Sequence, residues 1–238
     1  MKRGFLVLAL AAFVAGGVFA QAPVQFSFGG GFSFDGGRLG GVLYEWSGSG
    51  AGWSSSESEL HFVNHQGFGG HIFFDATFVE LSIGLMGGPA HWGMHEEVEW
   101  TENGDSGSGV WREYDSGRFL ALDFSLLGRL PIAIGDGNVS VFPLLGIGYN
   151  IVLRSRTLDG EDMFEYTNDH SASSLSTFRL QFGIGGDFDI TSNVFFRLSI
   201  LGNYRFAPSL FRDWADDWDG DHRGGFGGSM RMGIGFRF

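Results

Sequence analysis

The sequence of 238 residues contains no cysteine, a single lysine and only five prolines. The absence of cysteine excludes disulfide bonds, thiolate metal sites and a cysteine nucleophile. The 15 basic residues are outnumbered by 27 acidic ones, so the chain lacks the basic patch that nucleic-acid binding requires. We therefore expect no nucleic-acid partner. Glycine and charged residues interrupt the apolar runs after the N-terminal region, which argues against a transmembrane helix.

Glycine and aromatic residues, in contrast, are abundant, with 41 Gly, 26 Phe and 7 Trp. Each interior helical glycine costs about 1 kcal/mol relative to alanine, so this glycine content excludes a mainly helical domain. The aromatic content also excludes a disordered chain, because disordered segments are poor in aromatic residues. Together, these two features favour a β-rich fold.

The N-terminus has the pattern of a secretory signal peptide. Lys2 and Arg3 precede an apolar run over 5–14, and small residues follow up to Ala20. We predict a signal peptide over 1–20 and a mature domain over 21–238. The mature chain then carries 13 Arg against 27 acids, a formal charge of −14.

Apolar and polar residues alternate along most of the mature chain. Near the C-terminus, apolar side chains occupy nearly every even position from Phe226 to Phe238, whereas the odd positions hold Gly, Ser and Arg. A period of two indicates a strand with two unlike faces. The alternation predicts eight strands, near 26–34, 67–76, 78–88, 120–134, 139–154, 178–190, 196–206 and 225–238.

The predicted connections alternate between long and short. Tight turns are expected at 75–77, 135–138 and 191–193, where the residue types suit turns. Long loops are expected at 35–66, 89–117, 155–174 and 207–224. Transmembrane barrels have short periplasmic turns and long extracellular loops, so this order favours a membrane barrel.

The volume of the apolar side chains indicates which face lies outside. About five bulky apolar residues on each strand are too many for the interior of an eight-stranded barrel, whereas the Gly, Ser and charged face fits there. We therefore predict an all-β fold, an eight-stranded antiparallel transmembrane up-and-down β-barrel. The alternative is a soluble secreted barrel of the lipocalin type or a two-sheet sandwich.

The last strand carries a family resemblance. Residues 230–238 end on Phe238 and have apolar residues at every second position before it. This chain resembles the small bacterial outer-membrane barrels of the OmpA, OmpX and OmpW type, and its Gly- and Phe-rich, Lys-poor composition resembles spirochaete outer-membrane proteins. The resemblance implies location in the bacterial outer membrane, contact with its lipid, and an assembly signal at Ile234, Phe236 and Phe238 that is read by the barrel-assembly machinery.

Charged residues within the strands lie mostly on the polar face, which predicts a charged lumen. The expected network comprises both signs: Asp75, Glu80, Asp123, Arg129, Arg179, Asp187, Asp189, Arg197, Arg231 and Arg237. Two interpretations stay open. The network is either a gate that rearranges to pass small solutes or a fixed set of ion pairs that fills the lumen.

The loops offer weaker candidates for a site. Clustered carboxylates at Asp217, Asp219 and Asp221 have the ligand type of a calcium site. We expect no other cofactor. Two histidine pairs, His61 with His65 and His91 with His95, are spaced four residues apart. This spacing would suit a zinc site on a helix but not on a strand, so exposed loop histidines are the simpler interpretation. His170 beside Ser171 resembles the residues of barrel enzymes, but no nucleophile motif accompanies it.

The sequence therefore predicts a barrel without enzymatic activity. Its first expected role is structural or surface interaction, with long acidic, Trp-bearing loops that meet an extracellular ligand. The alternative is a narrow channel for small solutes, hydrophobic ones included, as the resemblance to OmpW implies.

Overall fold

The fold is taken from a computed structural model that describes residues 24–157, 172–217 and 220–238. The predicted signal peptide over 1–20 and His170 lie outside the described residues. Nearly all of the described chain is strand. The strands are β1 (Phe26–Gly50), β2 (Trp53–Ala76), β3 (Val79–Glu102), β4 (Asp105–Arg129), β5 (Ile132–Ile134), β6 (Val139–Thr157), β7 (Thr177–Asp189), β8 (Val194–Arg205) and β9 (Asp221–Arg237).

These strands form one closed antiparallel sheet. Strands that follow each other in sequence pair, except β4 and β5; β9 pairs back onto β1, and β4 pairs with β6. The short strand β5 continues β4 after Leu130 and Pro131, so the ring has eight strands around its circumference. This closure confirms the predicted antiparallel up-and-down barrel. Every backbone group in such a ring has a partner, which is the condition for crossing hydrocarbon.

The outside of the ring is apolar. Side chains such as Phe32, Phe68 and Leu145 are exposed by 60, 62 and 65%. In water, a continuous apolar belt of this size would drive aggregation, so its solvent is lipid. Among the helices in the described part of the chain, none is long and apolar enough to cross a membrane.

The first four strands are much longer than a membrane requires. Each has 24 or 25 residues, which spans about 80 Å against a hydrocarbon core of about 30 Å. The predicted long loops at 35–66 and 89–117 are therefore wrong. Both segments are paired strands that continue the barrel into two hairpins, because their residues alternate and pair in register across four strands.

Two-residue turns close these hairpins. Ala51 and Gly52 connect β1 to β2, and Asn103 and Gly104 connect β3 to β4. The φ angles of Asn103 and Gly104 are 51° and 94°. An Asn-Gly pair with two positive φ angles is the preferred two-residue hairpin turn, so this turn fixes the register of a hairpin that sequence analysis placed in a loop.

The fourth predicted loop, 207–224, is also not irregular. It contains the helix α1 (Ser209–Asp217), and β9 begins at Asp221. Leu210, Phe211 and Ala215 of α1 are buried, and they pack with Leu39 and other apolar residues into two clusters. These clusters lie at the end of the barrel opposite the short turns, which we name the outer mouth. A 3-10 turn, Ala172–Leu175, precedes β7 and adds Leu175 to one cluster. The remainder of the third predicted loop, 158–171, lies outside the described residues.

Interior glycines allow neighbouring strands to approach closely. A Cβ atom built on Gly69, in phase with the lumen, would lie 1.9 Å from the carbonyl oxygen of Leu85. The same atom built on the adjacent Gly70, on the lipid side, has its nearest neighbour at 3.7 Å. The polar face of the sheet therefore tolerates no side chain at Gly69.

Gly69→Val should consequently prevent barrel formation, whereas Gly70→Val should leave it intact. The measurement is heat-modifiable migration on a gel after refolding in detergent, with far-UV circular dichroism as the check on strand content. Equal folding yields for the two variants would contradict the close approach at Gly69.

Candidate functional site: the charged lumen and its outer cap

The lumen is filled with paired charges. Among the described residues, six arginines and six carboxylates contact one another along the barrel axis. The formal charge of this lumen network is zero. Buried ions are stable only when paired, so the balance of signs permits this interior. The network consists of Arg129, Arg179, Arg197, Arg205, Arg231 and Arg237 with Asp35, Asp75, Glu80, Asp123, Asp187 and Asp189.

Arg197 is the hub at the end of the barrel that carries the short turns, which we name the periplasmic end because transmembrane barrels direct such turns to the periplasm. Its Nε and Nη2 atoms donate to the two carboxylate oxygens of Asp187, at 2.6 and 2.8 Å. Its Nη1 atom lies 2.7 Å from Asp75 and 2.9 Å from Glu80. Arg129 also connects Asp75 to Asp187, at 2.9 and 3.1 Å. Each carboxylate here therefore has more than one cation within reach.

Phenylalanine rings pack against these guanidinium groups inside the lumen. The Arg197 Cζ atom lies 4.5 Å from the centre of the Phe73 ring and 5.0 Å from that of Phe195, and Arg129 lies 4.2 Å from that of Phe142. The lumen therefore contains aromatic rings as well as the predicted small and charged residues. The rings fill the space between charges and add cation–π attraction, which is strongest where water is excluded.

Arg231 and Arg179 form the hydrogen bonds and ion pairs in the middle of the lumen. Arg231 donates to the hydroxyl groups of Ser82 and Ser125, each at 2.8 Å. Arg179 is fully buried and pairs with Asp123. Its other terminal nitrogen lies 3.6 Å from Asp35, so Arg179 connects the middle of the network to the outer end.

The outer end contains three residues that sequence analysis did not assign to the network. Asp35 accepts from Arg205 at 2.7 and 2.8 Å, and His65 lies 3.2 Å from Asp35 and 3.1 Å from Arg205. The interpretation of His65 as an exposed loop histidine is wrong, because it is 4% exposed. Asp35 and His65 were missed because they fall inside a predicted loop, although the alternation of 26–34 continues through Asp35.

The helix α1 closes the lumen above Asp35. Phe211 is fully buried and stacks on Trp92 at a ring-centre distance of 6.0 Å. Val42 and Val63 pack in the same cluster, and Leu210 packs in the neighbouring one. An apolar cap on a charged interior excludes water from the outer end of the network, which strengthens its ion pairs.

The predicted loop sites are not assembled in the described residues. Asp221 is exposed at the start of β9, whereas Asp219 and the side chain of Asp217 lie outside the described part of the chain. In the ranges that the structure describes, no group of three or more His, Asp or Glu side chains is placed to hold a metal ion. The calcium site stays a prediction. The assembly signal also stays a prediction; Ile234, Phe236 and Phe238 face outward and are half-exposed or more.

Comparisons with known proteins are distant. No family model matches the chain, and no curated protein matches it. Among solved structures, the outer membrane protein OprG from Pseudomonas aeruginosa is 12% identical over 90% of this chain and 96% of its own, with a TM-score of 0.43. The translocator domain of the autotransporter NalP from Neisseria meningitidis is 12% identical over 99% of this chain and 96% of its own, with a TM-score of 0.21. At these scores, neither structure assigns a function.

The architecture of the chain itself gives its class. A closed ring of eight strands, an even number, with a lipid-facing belt and short turns at one end, is the architecture of bacterial outer-membrane barrels. The chain is therefore an outer-membrane β-barrel.

Removing the Arg197 guanidinium should destabilise the barrel strongly. Arg197→Leu leaves Asp75, Glu80 and Asp187 with fewer cations in a buried site, which should lower the free energy of unfolding by about 3–5 kcal/mol. The measurement is urea unfolding in detergent micelles. Arg237→Leu is the matched control, because this side chain is 15% exposed and pairs mainly with the partly exposed Asp189. The control should lose about 1 kcal/mol, and equal losses would contradict the role of Arg197 as the hub.

Proposed function

We propose that this protein is a closed outer-membrane barrel with a structural and surface-interaction role, and that it has no enzymatic activity. The observation that carries the proposal is the lumen network under the α1 cap. Together they occupy the barrel from the periplasmic turns to the outer mouth. A barrel filled in this way serves as a scaffold for the segments that extend beyond the membrane. Its partners within the membrane are lipid and the barrel-assembly machinery.

The displayed element is a four-stranded sheet beyond the outer mouth. It comprises residues 44–50, 53–60, 94–102 and 105–116, which we name the extension. The last pairing between β1 and β9 joins Leu43 to Asp221, and the extension continues for about 25 Å beyond it. Trp46, Trp53 and Trp100 in the extension are exposed by 44–49%, and Trp111 by 71%. Exposed tryptophans are the residue type most enriched at binding hot spots, so they support an extracellular ligand.

The second candidate is a narrow channel of the OmpW type for small solutes, hydrophobic ones included. An open cleft of about 300 Å³ at the periplasmic mouth favours it. Asp75, Arg129, Asp189 and Arg237 line this cleft, which ends against the ion pairs of the network. A solute could pass further only if those pairs separated, which requires new partners for several buried charges.

Planar-bilayer recordings separate the two candidates. The purified protein should give no conductance steps under conditions in which a general porin does. Deleting α1 should also leave the bilayer silent, because the network beneath it still fills the lumen. Steps in the unmodified protein would favour the channel and contradict the closed barrel.

Cysteine labelling on intact cells tests the display of the extension. The chain has no cysteine of its own, so single variants carry one reactive group each. Ser54→Cys, at the tip of the extension, should react with a membrane-impermeant maleimide. Asn193→Cys, in the turn between β7 and β8, should react only after the outer membrane is permeabilised. Labelling of both on intact cells, or of neither, would contradict the proposed orientation.

A further inference from the structure

The two faces of the extension differ in chemistry. Residues that pair directly across antiparallel strands point to the same side of a sheet, so the register assigns each residue of the extension to one face. The face that continues the lumen surface, which we name the lumen-side face, carries tryptophans and carboxylates. The opposite face, the far face, carries three carboxylates, Glu45, Glu97 and Glu99, but no tryptophan. Its tip carries hydroxyl groups: Ser47, Ser49, Ser54, Ser56, Thr101, Ser106 and Ser108.

Aromatic and acidic residues form rows on the lumen-side face. One row across the four strands consists of Tyr44, Glu59, Glu96 and Trp111. Tyr44 is buried in the cluster that contains Phe211, so this row presents two carboxylates beside the exposed indole of Trp111. The next row towards the tip begins with Trp46 and Glu57. Arginine and lysine are absent from the described residues of this face, and His61 at its base contacts Glu59.

Glycines on the neighbouring strands allow the tryptophan rings to pack flat against the backbone. The Trp53 indole lies across Gly50, where an added Cβ atom would be 2.2 Å from its Nε1 atom. The Trp100 indole lies across Gly107 in the same way, with its Cζ2 atom 2.5 Å from the position of an added Cβ. Rings seated on backbone present a broad π surface to solvent, and such a surface attracts cations.

The carboxylates of the lumen-side face are crowded. Glu59 and Glu96 pair directly across β2 and β3, an arrangement of like charges that destabilises a sheet. Burial and the neighbouring carboxylates of Glu96 and Glu59 raise the pKa of Glu57. A cation bound among these three residues would relieve their repulsion, so charge complementarity identifies the chemistry of the occupant.

From this arrangement, we infer that the lumen-side face of the extension is a docking surface for an extended cationic polypeptide segment, rich in arginine or lysine. Three strand spacings, about 14 Å, separate the exposed Trp46 on β1 from the exposed Trp111 on β4, farther than one cationic group can reach. An extended peptide presents alternate side chains on one side about 7 Å apart, so several of its cations can contact the carboxylates and indole rings together. This inference names the partner class of the proposed surface-interaction role and rests on that role.

Binding of a defined peptide tests the inference. The probe is a fluorescein-labelled peptide of four Arg-Ser repeats, and the readout is fluorescence anisotropy with the full mature protein in uncharged detergent at low salt. The combined substitution Glu57→Gln, Glu59→Gln and Glu96→Gln should weaken binding about tenfold. The matched control Glu45→Gln, Glu97→Gln and Glu99→Gln removes the same charge from the far face and should change binding by less than about twofold.

The aromatic contribution has its own pair of variants. Trp100→Ala combined with Trp111→Ala should weaken binding about tenfold through loss of cation–π contacts. Val110→Ala, an exposed residue of the far face, should leave binding unchanged. Heat-modifiable migration confirms that each variant folds, so a loss of binding in a folded protein reports on the surface.

Three results would overturn the inference. Equal losses from the two glutamine triples would mean that only overall charge attracts the peptide. Binding of a neutral oligosaccharide, with none of the peptide, would assign the tryptophan platform to a sugar. No peptide binding at all, with bilayer silence and surface labelling as expected, would remove this partner class and leave the closed, displayed barrel standing.

Discussion

Hydrocarbon offers no hydrogen bonds, and this constraint determines the rest of the structure. A sheet in lipid must close on itself, and closure of eight strands gives each strand one lipid side and one crowded side. The large apolar side chains therefore lie outside, as Phe32 and Phe68 do, and small residues such as Gly69 occupy the inside. The alternation of large apolar residues with small or polar ones along the sequence follows from this division.

The narrow interior then constrains the charges. An eight-stranded lumen has room for side chains but little for water, so a guanidinium group inside it needs a carboxylate within direct reach. Arg179 and Arg205 are almost wholly buried, and each contacts Asp35. Above them the α1 cap excludes solvent. The same contacts therefore both stabilise the barrel and fill its lumen.

Sequence alone predicted the strands within the membrane, because lipid imposes the strict period of two that 178–190 and 225–238 show. It failed beyond the membrane, where this constraint ends. The residues around Ser54 and Glu57 alternate between two solvent-exposed faces, so their hydropathy resembles that of a loop. The Asn103-Gly104 turn was the available signal for a hairpin. The α1 cap was not predictable, since its burial depends on residues from β1 and β2 such as Leu39 and Val63.

The partners in the lumen network lie far apart in sequence. Arg205 is 170 residues from Asp35, and Arg197 is 117 residues from Glu80. These pairs join the last strands to the first, so they form only when β9 meets β1. An incompletely closed sheet leaves its arginines and carboxylates without partners, and such a sheet is poorly stable. The ion pairs thus stabilise the closed ring relative to intermediates in which the first and last strands remain apart.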